Sequence, residues 1–116
     1  MTTYSFGDVL LVPFPFTNQS STKKRPTIVI SSELYNQQKS DLVLIAVTSQ
    51  VSSPLRFGEI LVSDWQNAGL IKPSLIKPII TTLEKSLVIK MLGKIQDVDR
   101  QCLYGVLQQI IGLSAV

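Results

Sequence analysis

The stretch Leu42-Val43-Leu44-Ile45-Ala46-Val47-Thr48-Ser49-Gln50 decides the fold. Six apolar residues, half of them β-branched, run into a polar cluster, which reads as a buried strand from Leu42 to Thr48 that ends at a rim. Further apolar runs lie on either side: Asp8 to Phe14, Thr27 to Ser31, Phe57 to Val62 and Leu75 to Thr82, with a weaker one from Leu92 to Ile95. Five or six short strands in 116 residues predict one mainly β domain, a compact barrel or sandwich. A hydrophobic content of 45% fills one modest core of that kind.

Two helical features complete the reading. Ser63-Asp64-Trp65-Gln66-Asn67-Ala68-Gly69 has a capping residue at one end and a terminating glycine at the other, so it predicts a single helical turn, with Trp65 pinning it to the core. At the far end, Leu103, Val106, Leu107, Ile110 and Ile111 follow helical spacing behind a cap at Asp97 or Asp99, with Gly112 as the stop. Cys102 falls in this helix as a small apolar filler.

Several function classes are excluded. No apolar run approaches the roughly 20 residues of a membrane-spanning helix, and Met1 to Asp8 has no basic segment followed by an apolar core, so a soluble chain without membrane partners is expected. A lone cysteine forms no internal disulfide and suits a reducing cytoplasm. The sequence contains no histidine, which removes histidine acid–base pairs, histidine-activated nucleophiles and histidine-bound metals. The acids are too scattered to assert a metal site, and no phosphate-cradling glycine loop is present, so neither metal nor cofactor is expected.

What remains is positive charge and hydrogen-bonding side chains near strand ends. The net charge is +3, with a run at Lys23-Lys24-Arg25 and further lysines at 72, 77, 85, 90 and 94. Pro13 to Lys24 reads as a long polar loop that ends at Arg25-Pro26, and loops longer than about 12 residues are usually functional or disordered. The Arg25 guanidinium suits a phosphate through two parallel hydrogen bonds, although solvation or pairing with a carboxylate accounts for most arginines. Thr48, Ser49 and Gln50 place hydroxyls and an amide at the rim, and turn capping explains them equally well.

Gly7-Asp8-Val9-Leu10-Leu11-Val12 with Pro13 or Pro15, then Lys24-Arg25-Pro26-Thr27-Ile28-Val29-Ile30-Ser31, then Val47-Thr48-Ser49-Gln50, and finally Lys77-Pro78-Ile79 resemble the successive signatures of the MazF/PemK/Kid family. The resemblance extends from Gly7 to Leu113. It implies an SH3-like barrel of the CcdB/MazF type with a C-terminal helix. It also implies a homodimeric toxin of a type II toxin-antitoxin system, and a metal-independent endoribonuclease that leaves 2′,3′-cyclic phosphate and 5′-hydroxyl ends on single-stranded RNA. In that family the arginine before the proline and the threonine ending the middle strand act at the scissile phosphate, and the resemblance implies these catalytic roles for Arg25 and Thr48 here. The implied partners are the RNA, a second copy of the chain, and a cognate antitoxin whose acidic segment occludes the RNA site.

RNA contacts are expected from Thr17, Asn18 and Gln19 in the first loop, from Lys23, Lys24, Ser49 and Gln50, and from Lys72 and Lys77. Some family members carry an Arg-x-Asp pair where this sequence has Lys72-Pro73-Ser74, and some carry a glutamate or histidine in the first loop, which has neither here. The general base is therefore unassigned. A binding barrel without catalytic power and a CcdB-like poison of a protein target are the alternatives, and the basic run favours the RNA reading over the latter.

Overall fold

Strand β3, Asp41–Thr48, is covered on both faces, which explains why its sequence is continuously apolar rather than alternating. In the computed structural model, which describes residues 3–14, 23–51 and 53–112, Leu42, Leu44 and Ala46 pack into one core cluster with Leu10, Val12 and Val29. Ile45 and Val47 pack into another with Val9, Ile28, Ile76, Ile95 and Leu103. A residue that faces either way meets apolar neighbours, so both sets of side chains leave water.

Around β3 stand β1 (Asp8–Phe14), β2 (Lys23–Val29), β4 (Ile60–Leu61), β5 (Leu75–Glu84) and β6 (Lys90–Lys94). They form one six-stranded antiparallel sheet in the order β4-β5-β3-β2-β1-β6. The turn that follows β4 meets β6 at the opposite edge, where Gly69, at φ +88°, lies against Leu92 and Gly93. The sheet is therefore curled into a half-barrel. A Cβ on Gly69 would stand 2.1 Å from the Leu92 carbonyl oxygen, so only glycine permits this closure.

The helices are α1 (Glu33–Gln38) and α2 (Asp97–Ile110). α1 is absent from the sequence reading. Its local signal is Ser32, whose Oγ accepts the Tyr35 N–H at 3.1 Å as an N-cap. α2 lays Leu103 and Val106 on the core, as its spacing predicts. Its cap is Gln96, however, and neither Asp97 nor Asp99 holds that position. Asp99 is fully buried and instead accepts the backbone N–H groups of Ser63 and Asp64 at 2.7 and 2.9 Å. Cys102 is exposed, so it is no core filler; its position on α2 falls outside the buried stripe. The Ser63–Gly69 segment makes one helical turn, closed by Ala68 N–H to the Asp64 carbonyl at 3.2 Å, and Trp65 packs against the core as expected.

Strand bounds differ from the expected ones in every strand but β1, most at β2 and β4, and β5 carries a bulge. β2 begins at Lys23, and Lys23, Lys24 and Arg25 pair with Phe14, Pro13 and Val12 of β1. The basic run is thus the first part of a strand and not the end of a loop. The strand expected over Phe57 to Val62 shrinks to Ile60–Leu61. In β5, Val47 pairs with Ile76 whereas Ile45 pairs with Ile80, so Lys77, Pro78 and Ile79 together oppose Ala46 in a bulge. That bulge is where a proline is tolerated inside a sheet, because its missing N–H breaks no ladder bond.

Candidate functional site

The apolar cover of β3 ends at Thr48. The β2–β3 register, in which Thr27 faces Ala46, carried two residues outward sets Arg25 level with Thr48 on the neighbouring strand. Two hollows open around this pair. One, of about 190 Å³, is lined by Arg25, Ala46, Val47, Thr48, Gln50, Lys77 and Ile79. The other, of about 200 Å³, is lined by Lys24, Arg25, Pro26, Val47, Thr48, Ser49, Leu70, Ile71, Lys72 and Ser74. Arg25, Val47 and Thr48 line both.

Each polar group is brought here by a specific local device. The β5 bulge turns Lys77 and Ile79 towards the first hollow, a common use of bulges beside sites. Lys72 stands on a segment fixed by Ser74, whose Oγ donates to the Lys72 carbonyl at 2.8 Å and whose own carbonyl accepts the Val62 N–H at 3.0 Å. Thr48 Oγ1 accepts the Gln50 N–H at 3.1 Å. Turn capping and site chemistry are thus compatible at Thr48: a hydroxyl that accepts one hydrogen bond still has a proton to donate, and the accepted bond holds its oxygen in place.

The electrostatics are one-sided. Lys24, Arg25, Lys72 and Lys77 supply positive charge, and among the described residues no carboxylate lines either hollow. Likewise, no group of three metal-ligating side chains occurs among the described residues. Fixed cations, three hydroxyls and an amide form a surface that can bind and polarise an anion such as a phosphodiester.

Of the residues expected to contact RNA, Lys24, Ser49, Gln50, Lys72 and Lys77 converge with Arg25 and Thr48. Lys23 sits at the exposed outer end of β2 and lines neither hollow. Thr17, Asn18 and Gln19 lie outside the described residues. The sequence reading gave no role to Leu70, Ile71, Ser74 or Ile79. Ser74 and Ile79 stand in strings it did single out, Lys72-Pro73-Ser74 and Lys77-Pro78-Ile79, and the proline of the second marks the bulge. A larger hollow of about 510 Å³ lies between the sheet and α2, lined by Ile30, Val43, Ile80 and Leu107 among others, with no charged side chain. It is the wrong chemistry for a phosphate.

Residues 5–111 match the family model described as the PemK-like, MazF-like toxin of type II toxin-antitoxin systems. Among curated proteins no sequence relative matches. In fold the chain is similar to an endoribonuclease from a Mycobacterial species, with TM-score 0.77 and 16% identity over 100% of this chain and 98% of that one. It is also similar to a Mycobacterial endoribonuclease in complex with its cognate antitoxin, with TM-score 0.75 and 15% identity over all of both chains. MazF from Deinococcus radiodurans gives TM-score 0.76 and 17% identity over 97% of this chain and 100% of that one. Identities this low speak for the fold alone.

Proposed function

Because the chain belongs to the PemK-like, MazF-like toxin family of type II toxin-antitoxin systems, we propose that it is a metal-independent, sequence-selective endoribonuclease acting on single-stranded RNA. The observation that carries this reading is the level placement of Arg25 and Thr48 on adjacent strands, ringed by three lysines and by no described carboxylate. In the proposed reaction the 2′-oxygen of the RNA bonds to phosphorus as the bond from phosphorus to the 5′-oxygen breaks. The 2′-proton leaves and the 5′-oxygen gains one, which gives 2′,3′-cyclic phosphate and 5′-hydroxyl ends.

Negative charge builds on the phosphoryl oxygens in the transition state. In this reading Arg25 and the Thr48 hydroxyl stabilise it, and removing one such donor typically costs about 3–4 kcal/mol. Lys24, Lys72, Lys77, Ser49 and Gln50 hold the strand along the two hollows, a contribution of orientation. The same basic surface suits the acidic segment of a cognate antitoxin, in a cytoplasmic homodimer.

The test is cleavage of a structure-poor RNA in EDTA with end mapping, for wild type, Arg25→Ala and Thr48→Ala. Discrete cuts with cyclic-phosphate ends, lost in both variants, are the expected result. A second reading, a binding barrel without catalytic power, draws on the absence of a carboxylate base from the described lining. RNA that is bound yet left intact by wild type selects it.

A further inference from the structure

Ser74 is only 4% exposed, yet it lines the second hollow together with Arg25 and Thr48. Its backbone is fixed from two sides. The Ser74 carbonyl accepts the Val62 N–H at 3.0 Å, and the next residue, Leu75, is fully buried and pairs with Thr48 across the β3–β5 ladder. Consecutive Cα atoms stand about 3.8 Å apart and paired ones about 5 Å, so the Ser74 Cα lies within roughly 9 Å of the Thr48 Cα. One nucleotide can touch both side chains.

The hydroxyl is oriented as well. Ser74 Oγ donates its proton to the Lys72 carbonyl at 2.8 Å. A hydroxyl has a single proton, so with that proton committed it offers the hollow lone pairs alone. No other described side chain in this lining is set that way. Lys24, Arg25 and Lys72 can only donate; Thr48 Oγ1 accepts the Gln50 N–H and keeps its proton to give; Ser49 is exposed, and its hydroxyl rotates to suit.

Cleavage through a cyclic phosphate has one group that needs a fixed acceptor. The attacking 2′-hydroxyl must turn a lone pair towards phosphorus and its proton away. The sequence holds no histidine to receive that hydrogen bond, and no described carboxylate lines the hollow. No residue outside the described ones is an acid either.

We propose that Ser74 accepts a hydrogen bond from the 2′-hydroxyl that attacks the phosphate held at Arg25 and Thr48, and so aligns the nucleophile. The inference rests on the ribonuclease reading above and adds a residue to it. Ser74 keeps no proton. As the 2′-oxygen bonds to phosphorus its proton passes to water, and the electron pair of the breaking bond stays on the 5′-oxygen, which takes a proton from water. The serine thus lends affinity and orientation to one hydroxyl, and the same contact distinguishes ribose from deoxyribose.

The test measures binding of RNA whose cut nucleotide carries a 2′-amino or a 2′-fluoro group in place of the hydroxyl, at a pH where the amine is uncharged. The amine can donate to Ser74 and the fluorine cannot. Wild type is expected to bind the 2′-amino RNA roughly 3- to 10-fold more tightly, the worth of one neutral hydrogen bond. Ser74→Ala should bind the two alike, and Ser74→Thr should restore the preference. On unmodified RNA, Ser74→Ala should lower kcat/KM by a similar factor, whether or not Lys72→Ala is already in place. Wild type without a preference for the amine overturns the inference before any variant is made, and a preference that survives in Ser74→Ala overturns it too. If Lys72→Ala abolishes the effect of Ser74→Ala, the serine acts only by holding Lys72 and the inference is likewise overturned. Wild type that neither cuts nor binds unmodified RNA removes the reading beneath it as well.

Discussion

Replacing Asp99 with alanine tests whether the basic rim depends on a bond made from the far side of the core. The carboxylate is fully buried and accepts two backbone N–H groups, at 2.7 Å from Ser63 and 2.9 Å from Asp64. Those residues open the turn that closes the half-barrel and leads through Leu70 and Ile71 to Lys72. Hydrogen bonds to a charged group are worth about 1.5–3 kcal/mol each, and two donors lose their partner together. Both are only partly buried, so water recovers some of the loss, and a net cost of about 3 kcal/mol is expected. Against a total stability of about 5–15 kcal/mol this is large. It corresponds to a fall in Tm of roughly 10–15 °C in a domain of this size. Urea and thermal unfolding measure the global cost, and hydrogen exchange at the Ser63 and Asp64 amides measures the local one. Asp99→Asn, which retains one acceptor oxygen, should fall between wild type and alanine. A loss below about 1 kcal/mol, or unchanged exchange at those two amides, refutes the argument that Asp99 anchors the turn.

Gly69→Ala should be at least as damaging, because the added Cβ meets a backbone carbonyl and the backbone lies at φ +88°; a soluble variant with unchanged Tm contradicts the closure described for the half-barrel. Arg25→Ala and Thr48→Ala should each lower kcat about 100- to 1,000-fold, while Thr48→Ser keeps most activity; single-turnover cleavage checks this. RNA affinity should fall with salt at a log–log slope near −3 for four cationic contacts, and Lys72→Ala should reduce that slope by about 0.7. Lys23→Ala should alter it less, since Lys23 lines neither hollow; a salt titration of RNA binding decides both.

The sequence carried the buried strands because burial leaves a compositional trace. β1 is found over the residues its apolar run marks, and β3 begins one residue early at Asp41. What escaped lies where pairing and composition diverge. Lys23, Lys24 and Arg25 form a strand end whose backbone pairs with β1 while its two lysines are exposed, and such residues look like loop in a linear reading. α1 is six residues long, too short for helical periodicity to declare itself. Asp99 sits in the first turn of a helix, where a local cap is the natural expectation, yet its carboxylate bonds to a turn some thirty-five residues away in sequence. Local rules cannot rank that option against the near one.

The same distinction separates the legible part of the site from the rest. Arg25 and Thr48 each stand at a boundary visible in one dimension, a basic residue before a proline and a hydroxyl closing an apolar run. Antiparallel pairing then brings the two boundaries level. Lys72 and Lys77 are lysines among many, and only the turn fixed by Ser74 and the β5 bulge select them for the rim. Four cations gather around two hollows, without a described carboxylate in the lining, and make a surface that a polyanion complements. The strands beneath are held by apolar burial on both faces and do not need those charges for their stability. A polyanion that binds the folded chain and not the unfolded one stabilises it, so stability should rise with RNA occupancy, by about 2.7 kcal/mol at a hundredfold excess over Kd. A rise in Tm with added single-stranded RNA, removed by high salt, is what that account of the rim requires.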